Sequence, residues 1–146
     1  MIELLDVPGV AKLLGGHKIL KVKIANPLDM RKAVRAGLPA LVVEQMARLL
    51  AVPVAEVLRI TGISPSTWAR RRAENALSES ESDRVYRLAR IVLHAATTLG
   101  NMSKAREWLF PTNRALSGEK PFDLLDTEVG VDQVAAVLDR IEYGVY

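Results

Sequence analysis

Signals that start and stop helices recur along this chain at intervals that leave room only for a succession of short helices. Asn26-Pro27 and Ser64-Pro65 each place a side-chain acceptor before a proline whose ring presets the first helical turn. Ser78 and Glu81 stand at capping-box spacing ahead of a long apolar periodicity. Gly37, Gly62 and Gly100 fall where helices would end. Between these marks, apolar residues repeat at three- and four-residue steps.

The spacing predicts a helix from Val7 to Leu14, closed by Gly15-Gly16, and another from Pro27 to Ala36. A third opens at Pro39 and turns Leu41, Val42, Met46, Leu49 and Leu50 inward. Pro53 to Thr61 forms the next, with Val54, Val57 and Leu58 on one side, and a Ser64-capped helix runs to about Asn75. The long helix ahead of Gly100 buries Val85, Leu88, Ile91, Val92 and Ala95. Met102 to Phe110 is a short helix stopped by Pro111, residues 112–121 a loop and Phe122 to Leu125 a helical turn. The last helix, Val131 to Ile141, buries Val131, Val134, Val137, Leu138 and Ile141. Ile19 to Ile24 alternates apolar and basic residues, which reads either as a short strand or as an extended lead-in. The expectation is an all-α, compact helical protein in which residues 39–76 hold a helix-turn-helix.

Composition narrows the function classes. Of 146 residues, 49% are hydrophobic and 25% charged, enough apolar material for a buried core. No run approaches the ~20 apolar residues that span a bilayer. Residues 1–10 lack the pattern of a signal peptide, and cysteine is absent. Thiol chemistry and disulfides are thereby excluded, and a cytoplasmic location without membrane contact is expected. His17 and His94 have no neighbouring nucleophile or metal-spaced partners, and no glycine-rich phosphate loop occurs, so no enzyme activity, metal or cofactor is expected. Charge is distributed unevenly: residues 119–146 carry seven acids against two bases, while residues 1–118 hold eighteen bases against ten acids. Such asymmetry suits a polyanion partner at one end and a different partner at the other.

The run from Val57 to Arg71 supplies the first partner surface. A glycine in the turn lets two short helices cross steeply, and Ile63 and Trp68 are apolar plugs that seat the second on the first. Ser64 caps the second helix. Ser66, Thr67 and Arg70 occupy the early positions that face base edges in such a unit, while Arg71, Arg72 and Arg84 suit phosphates. Arg70 to Arg72 otherwise read as a solvated helix face. The run Gly62-Ile63-Ser64-Pro65-Ser66-Thr67 resembles the turn and recognition-helix start of the Xre-type helix-turn-helix. It departs from that pattern in Trp68, where a smaller aliphatic is usual, and in Thr61, where leucine is frequent.

Beyond Ser103 an ordered set of residues follows: Trp108-Leu109, Pro111, Asn113, Ala115-Leu116, Gly118, Lys120-Pro121, residues 124–127 and residues 140–146. It resembles the toxin-binding domain of the Xre/MbcA/ParS antitoxin family, over residues 77–146. The resemblance implies an antitoxin that covers the active-site entrance of a RES-domain toxin, an enzyme that consumes NAD or transfers its ADP-ribose. It also implies that the complex represses its own operon by binding operator DNA. Trp108, Pro111, Asn113, Leu116, Gly118 and Pro121 would build the motif loop. Asp132, Asp139 and Glu142 on the last helix, with the tail Tyr143, Gly144, Val145 and Tyr146, would meet the toxin. A homodimer is expected from the twofold reading of half-sites, with residues 1–38 as a source of the dimer contact. A stand-alone Xre-class regulator without a toxin, and a helical enzyme or scaffold with an architectural helix-turn-helix, are the competing readings.

Overall fold

The computed structural model describes residues 6–144. Nine α-helices lie among them: α1 (Val7–Leu13), α2 (Gly16–Leu20), α3 (Pro27–Ala36), α4 (Leu41–Leu50), α5 (Val54–Thr61), α6 (Pro65–Glu74), α7 (Glu79–Leu99), α8 (Met102–Leu109) and α9 (Glu128–Glu142). Two 3-10 turns, Arg114–Leu116 and Pro121–Asp126, fill the stretch between α8 and α9. No strand occurs among the described residues, and the all-α expectation holds.

The long α7 is the axis of the molecule. Its start is fixed by the anticipated capping box: Ser78 Oγ accepts from the Glu81 amide, and Glu81 Oε1 accepts from the Ser78 amide. Val85, Leu88, Ala89, Ile91, Val92 and Ala95 are buried along it, and α1, α3, α4, α5, α8 and α9 all pack against it. Burying a side chain of this size contributes roughly 1.5–3 kcal/mol, so this one helix organises a large part of the core. Ser82 is buried in the same region, and its Oγ accepts from the Leu38 amide at 2.8 Å, strapping the α3–α4 link to α7.

Several boundaries differ from expectation for identifiable reasons. The strand option for Ile19–Ile24 is excluded: Ile19 and Leu20 close α2, Lys21 adopts φ +64, and residues 22–25 form an irregular link. Lone alternation needs a neighbouring backbone ladder, and none is present among the described residues. The fourth helix begins at Leu41 rather than Pro39, which leaves Leu41 exposed and gives the inner stripe to Val42, Val43, Met46 and Leu50. Pro53 is the residue before α5 instead of its first turn. The last helix begins three residues earlier than Val131, because Thr127 Oγ1 accepts from the Gly130 amide and acts as its N-cap.

Gly130 lies where α9 crosses the second 3-10 turn. Any Cβ there would overlap the Leu124 carbonyl oxygen, so the two backbones touch directly. Phe122 of that turn is fully buried and packs on Phe110 with ring centroids 4.8 Å apart. Among the described residues no helix is long and apolar enough to cross a membrane.

Candidate functional site

Helices α5 and α6 form a corner around Gly62 (φ +70), a backbone angle that glycine adopts without strain. The Ile63 amide donates to the Leu58 carbonyl, and the buried Ile63 side chain fills the inside of the corner. Trp68 is half-buried against the core. Ser64 caps α6 through Oγ, which accepts from the Thr67 amide and lies 3.0 Å from the Thr67 hydroxyl and 3.3 Å from that of Ser66. No residue of α6 is fully buried: Trp68 and Arg71 turn toward the protein, and Ser66, Ala69, Arg70 and Arg72 are exposed.

The sequence-predicted arginines separate into distinct roles. Arg70 is exposed and has no ion pair among the described residues. Arg72 is exposed too and pairs with Glu44 of α4 at 3.4 Å, leaving most of its guanidinium in water. Arg71 is committed inward: its Nε donates to Glu81 Oε1 at 2.7 Å and an Nη to Oε2 at 3.2 Å. Arg84 Nε donates to the Thr61 carbonyl at the end of α5. Both were expected as phosphate contacts, and in this structure both brace the corner against α7. What sequence reasoning missed was Glu81, legible as a cap but with no local sign of its second partner ten residues upstream. Arg59 was missed as well; it bridges Glu56 and Asp123, each at 2.9 Å, and lies over the Phe122 ring. It links the corner to the C-terminal half.

Burial pushes the Glu81 carboxyl up, but hydrogen bonds from Arg71 and the Ser78 amide outweigh it and hold the group below its usual range. A carboxyl depressed on folding stabilises the protein above its unfolded pKa, and the gain fades as pH drops through the folded value. Stability is expected to fall as pH goes below about 4.5. In Glu81→Gln that acid slope should flatten relative to wild type, which thermal unfolding at several pH values would measure.

The second candidate surface is the outer face of α9. Asp132 and Glu142 are exposed, with Glu142 accepting from the Thr98 hydroxyl at 3.2 Å. Tyr143 is 61% exposed, and Gly144 follows with φ +70. Val145 and Tyr146 lie outside the described residues. Asp139 departs from the expectation of an exposed acid: its Oδ1 faces the buried His94 Nε2 at 3.1 Å between α7 and α9. Asp139 shares with Asp132 a hollow between α7 and α9, and its side chain is 34% exposed.

The motif residues form the support beneath this face. Trp108 is half-buried against the core, Leu116 and Pro121 are buried, and Pro111 is exposed. Asn113 Oδ1 accepts from the Ala115 amide, while its backbone amide donates to the Glu119 carbonyl and its carbonyl accepts from the Gly118 amide. Gly118, at φ +81, closes the loop. Among the described residues no group of three or more His, Cys, Asp or Glu is placed to hold a metal.

An exposed helix-turn-helix and a motif-built C-terminal face thus pack on the same long helix, α7. The family model of the antitoxin Xre-like helix-turn-helix domain matches residues 29–90, and that of the antitoxin Xre/MbcA/ParS C-terminal toxin-binding domain matches residues 94–144. Proteins named Antitoxin Xre from Yersinia enterocolitica and Photorhabdus laumondii are each 32% identical, over 117 and 111 residues respectively. These alignments span 78% and 75% of this chain and the same shares of the relatives. A chain in the crystal structure of the M. tuberculosis MbcT–MbcA toxin–antitoxin complex shares the fold with TM-score 0.54 and 29% identity, covering 73% of this chain and 96% of that one. The chain belongs to the Antitoxin Xre family.

Proposed function

We propose that this protein neutralises a RES-domain toxin by stoichiometric binding, without catalysis of its own, and represses its own operon as a cytoplasmic homodimer. The observation that carries this reading is the toxin-binding family model, which ends on the acidic, outward face of α9. Asp132, Glu142, Tyr143 and Gly144 are the contacts that face offers, and in this reading Val145 and Tyr146, which follow in the sequence, add to them, with tyrosines supplying area at little entropic cost. In this reading the acidic end meets the basic groups with which a NAD-consuming enzyme holds its dinucleotide. Asp139 acts from beneath, through His94, as a positioning residue for α9.

The test is co-expression with the neighbouring gene of the operon. The two products are expected to co-purify, and toxin activity, followed as NAD loss or ADP-ribose transfer, is expected to vanish at saturating antitoxin. A partner enzyme that stays unassociated and fully active would overturn the proposal.

Operator binding rests on α6, whose exposed early residues Ser66 and Arg70, with Thr67 beside them, face outward from a capped N-terminus. Arg70→Ala is expected to weaken operator binding by about 1–3 kcal/mol and to relax preference at one base position. Titration of operator against scrambled duplex would measure both. Arg71→Ala should instead act through the fold, lowering the melting temperature, because its guanidinium is engaged with Glu81.

A further inference from the structure

The DNA-binding reading raises a question of charge. Affinity for duplex DNA comes largely from cations that neutralise phosphates. Yet the corner that should read DNA has few to offer: Arg59, Arg71 and Arg72 are paired with carboxylates, and Arg84 braces the turn. Arg70 is left.

The uncommitted cations lie elsewhere. Residues 12–35 hold seven bases against one acid, Asp29. Lys12, Lys18, Lys21, Lys23 and Lys32 are all on the outside of the molecule, and none has an ion pair among the described residues. Asp29 lines the same hollow as Lys23 and Lys32 but forms no ion pair with them. It belongs to the start of α3, where its Oδ2 accepts from the Ala25 amide. The patch includes the alternating segment Ile19–Ile24, whose lysines have no role in packing. Lys12 and Lys23 line one shallow hollow and Lys23 and Lys32 the next, the two sharing residues 22–24. Lys12, Lys23 and Lys32 therefore border one continuous surface.

That surface lies beside the corner. Helix α4 separates the two: α2 packs on α4, Gln45 Nε2 donates to the Leu13 carbonyl at the end of α1, and the preceding residue, Glu44, is reached by Arg72 of α6. We infer that the lysine patch of α1–α3 is a second DNA-binding surface, which grips the phosphate backbone flanking the bases that α6 faces. The inference rests on the DNA-binding reading and extends it. A lysine ammonium is a point charge suited to phosphates and reads no base edge, so the patch contributes affinity without sequence preference.

The experiment uses the full chain and its Lys12→Gln/Lys23→Gln/Lys32→Gln variant, titrated with a duplex from the operon's promoter and with a scrambled duplex over a range of salt. All three side chains lie at the surface, and circular dichroism with melting temperature checks that the fold is kept. Affinity for both duplexes should fall together by about tenfold or more, and the salt slope should become shallower by about 2 to 3, near 0.9 for each phosphate no longer neutralised. Arg70→Ala should behave differently, lowering the ratio of operator to scrambled affinity. Formaldehyde crosslinking of the wild-type complex should recover peptides containing Lys12, Lys23 or Lys32. Wild-type affinity and slope in the triple variant, alongside weakened binding by Arg70→Ala, would overturn the patch and leave the corner standing. Absence of salt-dependent duplex binding by the wild-type chain would overturn both.

Discussion

Gly130→Ala is expected to destabilise the protein by about 3 kcal/mol, the upper end of ordinary overpacking costs, against a helix propensity that alone favours alanine by up to about 1 kcal/mol. The sign is decided by what the new methyl group meets. It would occupy the position of the Leu124 carbonyl oxygen, and backbone has no rotamer to yield, so α9 must lift off the 3-10 turn. That movement would loosen Phe122 and Leu125, both almost fully buried beneath it. A fall in melting temperature of roughly 10 °C is the expected readout. Under the proposed function, toxin neutralisation should weaken in the same variant, since the face offered to the toxin is the outer side of the displaced helix. A variant as stable as wild type would mean that α9 and the turn do not meet as described.

Removing residues 143–146 is expected to produce the opposite combination, an intact fold with impaired inhibition. The buried residues of α9 end at Leu138, with Ile141 half-buried. If the tail anchors the toxin, removing even one tyrosine hot spot worth about 2 kcal/mol weakens the complex about thirtyfold, and removing both releases the enzyme. Titrating toxin activity against the truncated chain measures this directly. Complete neutralisation by the truncated chain, with an unchanged melting temperature, would assign the toxin contact to Asp132 and the middle of α9 instead.

Most of the fold was legible because its helices carry their punctuation in the sequence. Asn26, Ser64 and Ser78 cap the helices that they were expected to start, and Gly37, Gly62 and Gly100 close the ones that they were expected to end. Where punctuation was weak the reading slipped. Thr127 was passed over as a cap in favour of the first valine of the apolar stripe, and residues 19–24 offered an alternation whose meaning depended on a neighbour that local sequence does not supply.

The candidate site was less legible than the frame. Exposure of Ser66 and Arg70 follows from their helix positions. The commitment of Arg71 to Glu81, of Arg84 to Thr61 and of Asp139 to His94 depends on how helices cross, which residue spacing within one helix does not encode. In each case a charged residue expected to face a partner faces another helix of its own chain.

The unbroken run of α7 from Glu79 to Leu99 also bears on inheritance. The two matched regions adjoin inside it, between Arg90 and His94, where Ile91 and Val92 are buried. A cut there would strand apolar surface on both fragments. Under the proposed function, recombination that trades one toxin specificity for another would exchange the side chains along α9 and the motif loop, and leave the shared rod whole.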